Sequence, residues 1–146
     1  MVLYERDPRL RRWLAILLAC GEIVALTVVM LVISAGGMTW FNARLLGSRL
    51  GAAALFATPL VASAAAFLVF FVQGVLYVKG RPWTRSLFIL ENLLMIVVGA
   101  IWFLKNQFGE DPNRNVALMA LVLPVATLFP LLWPLRVFRP VPPGGP

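Results

Sequence analysis

Glu22, Gln73, Glu91 and Asn92 are the side chains of this 146-residue sequence best equipped for chemistry, because each places a carboxyl or an amide within an otherwise apolar stretch. Ionisable groups in such stretches face a protein interior or a water-filled cavity, and they mark ion or substrate pathways. Two carboxylates sharing one desolvated pocket repel each other when both are ionised, so a pair of them is suited to take up a proton or a cation. Amides beside them offer both donors and acceptors, and Tyr77 adds a hydroxyl. Glu22, Gln73, Glu91, Asn92 and Tyr77 are therefore the candidate binding or protonation residues. A catalytic reading needs a nucleophile, a metal or an acid/base pair that addresses a substrate, and only the last exists in rudimentary form. No catalytic residue is assigned, and the chain is not expected to be an enzyme.

Histidine is absent and Cys20 is the only cysteine. This removes bis-imidazole haem ligation, the commonest zinc ligand, an internal disulfide and any cysteine-based metal cage. Neither a cofactor nor a metal site is expected.

The elements that must position the two acids are long and apolar. Residues 13–34, 50–78, 86–104 and 116–135 each hold enough apolar side chains to cross a hydrocarbon core of about 30 Å. With 61% hydrophobic and 13% charged residues and a mean hydropathy of +0.88, little remains for a water-soluble domain. The expected fold class is an all-α membrane protein with four transmembrane helices in an antiparallel bundle. One domain covers residues 1–139, and the Pro/Gly-rich residues 140–146 form an extended tail.

Each acid costs about 2.5–3.5 kcal/mol on insertion scales, which the surrounding apolar residues outweigh. At about 1.5 Å per residue, Glu22 lies roughly 13 Å beyond Trp13 and Glu91 roughly 8 Å beyond Ser86. Gln73 reaches about the same depth as Glu91 from the other direction, with Tyr77 nearer the end of its helix. The four polar side chains can thus converge in one half of the bundle.

Lys and Arg counted over alternate inter-span segments total nine on one side and four on the other. By the positive-inside rule both termini are cytoplasmic, in a bacterial inner membrane, with anionic lipid headgroups as counter-ions at that face. Trp13, Trp40, Trp83, Trp102 and Trp133 fall near the span ends, where indole rings anchor at the interface. The net charge of +7 does not indicate nucleic acid, because no water-exposed basic face accompanies it. A cleaved signal peptide is not expected either, since the apolar run continues well past Cys20.

On the first helix Ala15, Ala19, Glu22 and Ala25 share one face, so the carboxyl is flanked by residues that let another helix approach. Ala35-Gly36-Gly37 reads as a break, followed by a stretch over 38–46 that either lies amphipathically on the surface or forms a solvated loop. The second helix is rich in alanine, from Ala52 to Ala66, and reads as built for close packing, with Pro59 as a kink. Gly47 and Gly51 have small-xxx-small spacing at an interface, where loop chemistry is the commoner meaning. Pro82 suits the entry of the third helix, with Thr84 or Ser86 available as caps. Glu110, Asp111 and Pro112 form a polar connector, and Pro124, Pro130 and Pro134 are expected to kink the last helix.

The turn Gly80-Arg81-Pro82-Trp83-Thr84-Arg85 leading into an apolar helix resembles the inner hairpin of small four-helix bacterial inner-membrane proteins, over residues 74–99. That resemblance implies the fold and no activity. Glu22 midway along a first helix, with its apolar flanks, is similar to the small multidrug-resistance transporters, in which such a carboxylate binds protons and cationic drugs alternately. The longer loops and the second acid, Glu91, depart from that pattern. The expected function is an accessory or scaffolding subunit of a membrane assembly, with other membrane subunits or a second copy as partners. The alternative is a proton- or cation-coupled small-solute transporter using Glu22 and Glu91.

Overall fold

The structure, a computed structural model, describes residues 8–45, 51–107 and 114–132, and the side chains within 8–36, 57–105 and 117–132. The tail, Gly47, the connector around Glu110 and Asp111, and Trp133 and Pro134 lie outside the described residues. The described chain is all-helical: α1 (Pro8–Leu45), α2 (Gly51–Val78), α3 (Pro82–Gln107) and α4 (Arg114–Leu132). Three stretches are long and apolar enough to cross a membrane, Pro8–Gly36, Ala57–Val78 and Pro82–Lys105. The fourth apolar stretch, Ala117–Leu132, is shorter; its 16 residues rise roughly 24 Å, less than a hydrocarbon core of about 30 Å.

The expected break after Ser34 does not occur, since α1 continues as helix through Gly36 and Gly37 to Leu45. The reading of this stretch as a solvated loop is thereby corrected over residues 38–45, and residue 46 lies outside the described residues. Gly36 is held by packing, because the indole of Trp102 lies directly against it. Trp102 is accordingly a half-buried packing residue, whereas Trp13 and Trp83 are 65% and 53% exposed, as interfacial anchors are.

The connection between α2 and α3 is built from its sequence in detail. Gly80 takes φ 82°, the left-handed conformation that a side chain disfavours. The amide of Gly80 donates to the Tyr77 carbonyl (2.9 Å) and that of Arg81 to the Leu76 carbonyl (3.2 Å), which is a Schellman termination of α2. Pro82 then opens α3, where its missing N–H leaves no donor unmet. Thr84 does not cap as expected: its hydroxyl donates back to the Arg81 carbonyl at 2.6 Å instead of accepting from an amide.

Contacts fix how the helices run. Between α3 and α4, Arg85 meets Leu131, Asn92 meets Thr127 and Gly99 meets Ala120, a descending series, so these two helices are antiparallel. Between α1 and α3, Glu22 meets Asn92 and Gly36 meets Trp102, an ascending series, so these run parallel. The α1–α2 and α3–α4 pairs pack most extensively, α1 also packs on α4, and α3 touches α1 and α2 only thinly. Pro124 cannot donate to the Ala120 carbonyl four residues earlier. Gly99 lets α3 approach that oxygen, and a Cβ there would sit 3.0 Å from it.

Ala15, Ala19, Glu22 and Ala25 are all buried, so this face of α1 looks inward. The described small residues of α2 divide between two faces. Ala57, Ala64 and Ala65 are exposed, Ala62 and Ser63 are half-buried, Ala66 packs against the core and Gly74 lies against α1. Apolar on all sides, α2 offers no polar face to reveal its orientation, and most of its surface points outward.

Candidate functional site

One polar layer crosses the helices. A Cβ on Gly74 of α2 would meet the Ile23 side chain at 2.6 Å and Ala19 at 3.6 Å, which sets Gln73 level with Glu22 and Ile23 of α1. Asn92 of α3 donates through Nδ2 to Glu22 Oε2 at 2.7 Å, and Gln73 donates through Nε2 to Glu91 Oε2 at 2.8 Å. Thr127 of α4 donates to Asn92 Oδ1 at 2.8 Å. All four helices thus contribute to the layer. The nine residues separating Trp13 from Glu22, and Trp83 from Asn92, put it about 13 Å inside the level of the two exposed indoles.

The layer divides into two acid–amide pairs. Glu22 and Asn92 are fully buried, and Asn92 uses its whole amide: Nδ2 also donates to the Phe88 carbonyl at 2.8 Å, and Oδ1 accepts from Thr127. This pair ties α1, α3 and α4 together. Gln73 and Glu91 tie α2 to α3 across the thin contact, with Gln73 buried and Glu91 half-buried. Glu91 and Asn92 are consecutive on α3 and so point about 100° apart, which is why one helix serves both pairs.

Tyr77 is buried beside the layer, its ring meeting Phe88 edge-on at a centroid distance of 5.8 Å. The five residues singled out from sequence are therefore gathered at one level, but as two separate hydrogen-bonded pairs and an aromatic neighbour. Thr127 and Arg85 were not singled out. Thr127 is the only polar side chain between Ala117 and Leu132, which is the signal that marks it. Arg85 donates from Nε (3.0 Å) and Nη2 (2.5 Å) to the Leu131 carbonyl, binding the start of α3 to the last described turn of α4.

The donors at both carboxyl groups are neutral amides, so neither bond supplies a counter-charge. Two buried acceptors, Glu22 Oε1 and Gln73 Oε1, have no hydrogen-bond partner. What the layer lacks is donors or positive charge. Among the described residues no three carboxylate, thiol or imidazole groups gather as a divalent metal would require. Comparison with protein-family models, curated proteins and solved structures finds no match.

Proposed function

We propose that this chain is a multi-pass protein of a bacterial inner membrane, with four spans in an antiparallel bundle and both termini cytoplasmic, serving as a non-catalytic accessory or scaffolding subunit. The observation that carries this reading is the outward placement of Ala57, Ala64 and Ala65 on α2. Small residues let helix backbones approach closely in lipid, and here that capacity is left unused within the chain. Partner subunits or a second copy are the occupants this surface suits, with anionic lipid headgroups at the basic cytoplasmic face. For the fourth span, the apolar run of the sequence continues through residue 135. The charge asymmetry and the resemblance of residues 74–99 support the orientation and the compartment.

Native mass spectrometry of the tagged chain, extracted gently from its own membrane, tests the proposal. Stoichiometric co-purification of another membrane protein is expected, and a chain that runs alone at every detergent concentration overturns the reading.

The second reading is a proton- or cation-coupled small-solute transporter, favoured by the unpartnered oxygens of Glu22 and Gln73 in the polar layer. Its test is flux into liposomes. Glu22→Gln is expected to abolish pH-dependent uptake while leaving the helices assembled.

A further inference from the structure

We propose that the polar layer is a monovalent-cation site, holding one positive charge, a sodium ion or a proton, between Glu22 Oε1 and Gln73 Oε1. The inference deepens the second reading by naming what the layer binds, but it does not require that the ion be transported.

Three observations carry it. First, the layer holds two buried acceptors without a hydrogen-bond partner, on side chains only 0% and 4% exposed. A buried acceptor without a donor costs about 1–3 kcal/mol, so a structure that leaves two in one layer calls for a species that satisfies acceptors. Second, the packing of Gly74 against Ile23 and Ala19 sets the two side chains at the same level of adjoining helices. Third, the opposite oxygen of Glu22 and the amide of Gln73 are already spoken for by Asn92 and Glu91. Those bonds fix both side chains and leave one oxygen of each for another ligand.

The charge balance points the same way. Glu91 and Tyr77 are the titratable groups facing Glu22 from α3 and α2. Arg85 lies beside Tyr77 with its guanidinium on the Leu131 carbonyl, and no hydrogen bond joins it to either carboxyl. Between Ala117 and Leu132, α4 contributes Thr127 and no titratable side chain. Among the described residues, the side chains bonded to the two carboxyls are neutral amides. A singly charged ion suits two oxygens and one nearby acid, whereas a divalent ion demands a denser ligand set. Sodium and a proton share this chemistry, since each is a single positive charge taken up by carboxyl and amide oxygens.

Thermal unfolding of the full chain in detergent micelles tests the site, with sodium chloride replaced by choline chloride at constant ionic strength, across pH 5 to 9. An ion that binds only the folded chain raises its stability by mass action. We expect a rise in Tm of roughly 4 °C on saturation, lost in Glu22→Gln and in Gln73→Leu and retained in Lys105→Ala, a change at an exposed position. A rise with sodium at fixed pH assigns the site to sodium. A rise on acidification that is indifferent to sodium assigns it to a proton. No dependence on either, or a dependence retained in both site variants, overturns the proposal. Should Glu22→Gln fail to fold, Gln73→Leu decides alone, because it leaves the Glu22–Asn92–Thr127 chain intact. Flux assays on the same material separate the two readings: ion-dependent Tm without flux keeps the site and removes transport.

Discussion

The two acid–amide pairs use the same chemistry in opposite surroundings. Glu22 and Asn92 are fully buried where α1, α3 and α4 meet, and Thr127 completes the amide's bonding. Gln73 and Glu91 bridge α2 and α3, which otherwise barely touch, and Glu91 is half-buried. In the first pair the bond joins α1 to α3, which also touch thinly, but α4 packs against both. In the second, the bond joins α2 to α3 with no fourth-helix packing of that extent behind it. A polar side chain thus contributes in proportion to what its neighbours would lose without it, and the same carboxyl–amide contact is a core element at one site and a tether at the other.

Asn92→Leu should break this comparison most forcefully. It strips the donor from Glu22 Oε2 and the acceptor from Thr127 at once, inside a fully buried cluster. Side-chain bonds between membrane helices average about 0.6 kcal/mol, but leaving a buried charge without its partner costs about 3–5 kcal/mol. We expect a loss of about 2–4 kcal/mol in equilibrium unfolding from mixed micelles. A loss no larger than that of Gln73→Leu would show that the two pairs are equivalent and that burial does not separate them.

Gly99→Val comes next, and it leaves both pairs untouched. A branched side chain would run into the Ala120 carbonyl, where even a Cβ would lie 3.0 Å from the oxygen. Overpacking of this kind costs about 1–3 kcal/mol. If α3 and α4 separate as a result, Asn92 loses Thr127 and the stabilities of Gly99→Val and Thr127→Val become non-additive, which a double-mutant cycle measures.

Gln73→Leu should cost only about 0.6–1 kcal/mol, since the bond is single, Glu91 is only half-buried and the change also removes the unpartnered Gln73 oxygen. Its distinguishing effect is local. Hydrogen exchange over α2 is expected to accelerate, because α2 then rests on α1 alone, while exchange over α3 and α4 is unchanged. Uniform acceleration across all four helices would mean that the Gln73–Glu91 bond belongs to the common core after all.

How much of this was legible beforehand follows from what each residue contrasts with. Glu22, Gln73, Glu91 and Asn92 stand out because charge and amides are expensive in apolar runs, and helical rise alone puts them at similar depths. Their division into two pairs was not legible, since it depends on the 100° between Glu91 and Asn92 and on which helix lies on each side. Thr127 escaped notice because a hydroxyl is cheap in a membrane helix and draws no attention without its partner. The end of the first helix was misread because Gly36 and Gly37 signal a break only when nothing holds them, and Trp102 packs against Gly36. Which of the small residues of α2 would meet α1 was not legible, because a helix apolar all round carries no periodic signal of its inner face; Gly74 and Ala66 do so, and Ala57, Ala64 and Ala65 do not.

Arg85→Leu tests the smallest difference, at the edge of the comparison. Its guanidinium places two donors on the Leu131 carbonyl, in the last described turn of α4. The side chain is half-buried and its bonded partner is a neutral carbonyl, so its removal should cost about 0.5–1 kcal/mol, the net worth of an ordinary hydrogen bond. The carbonyl it leaves behind can turn to water, unlike the oxygen of Glu22. Faster hydrogen exchange confined to residues 128–132 is the expected outcome. A global loss matching that of Asn92→Leu would instead place Arg85, through its neighbour Tyr77, inside the same cooperative unit as the Glu22 cluster, and the division into core and tether would have to be redrawn around the basic turn.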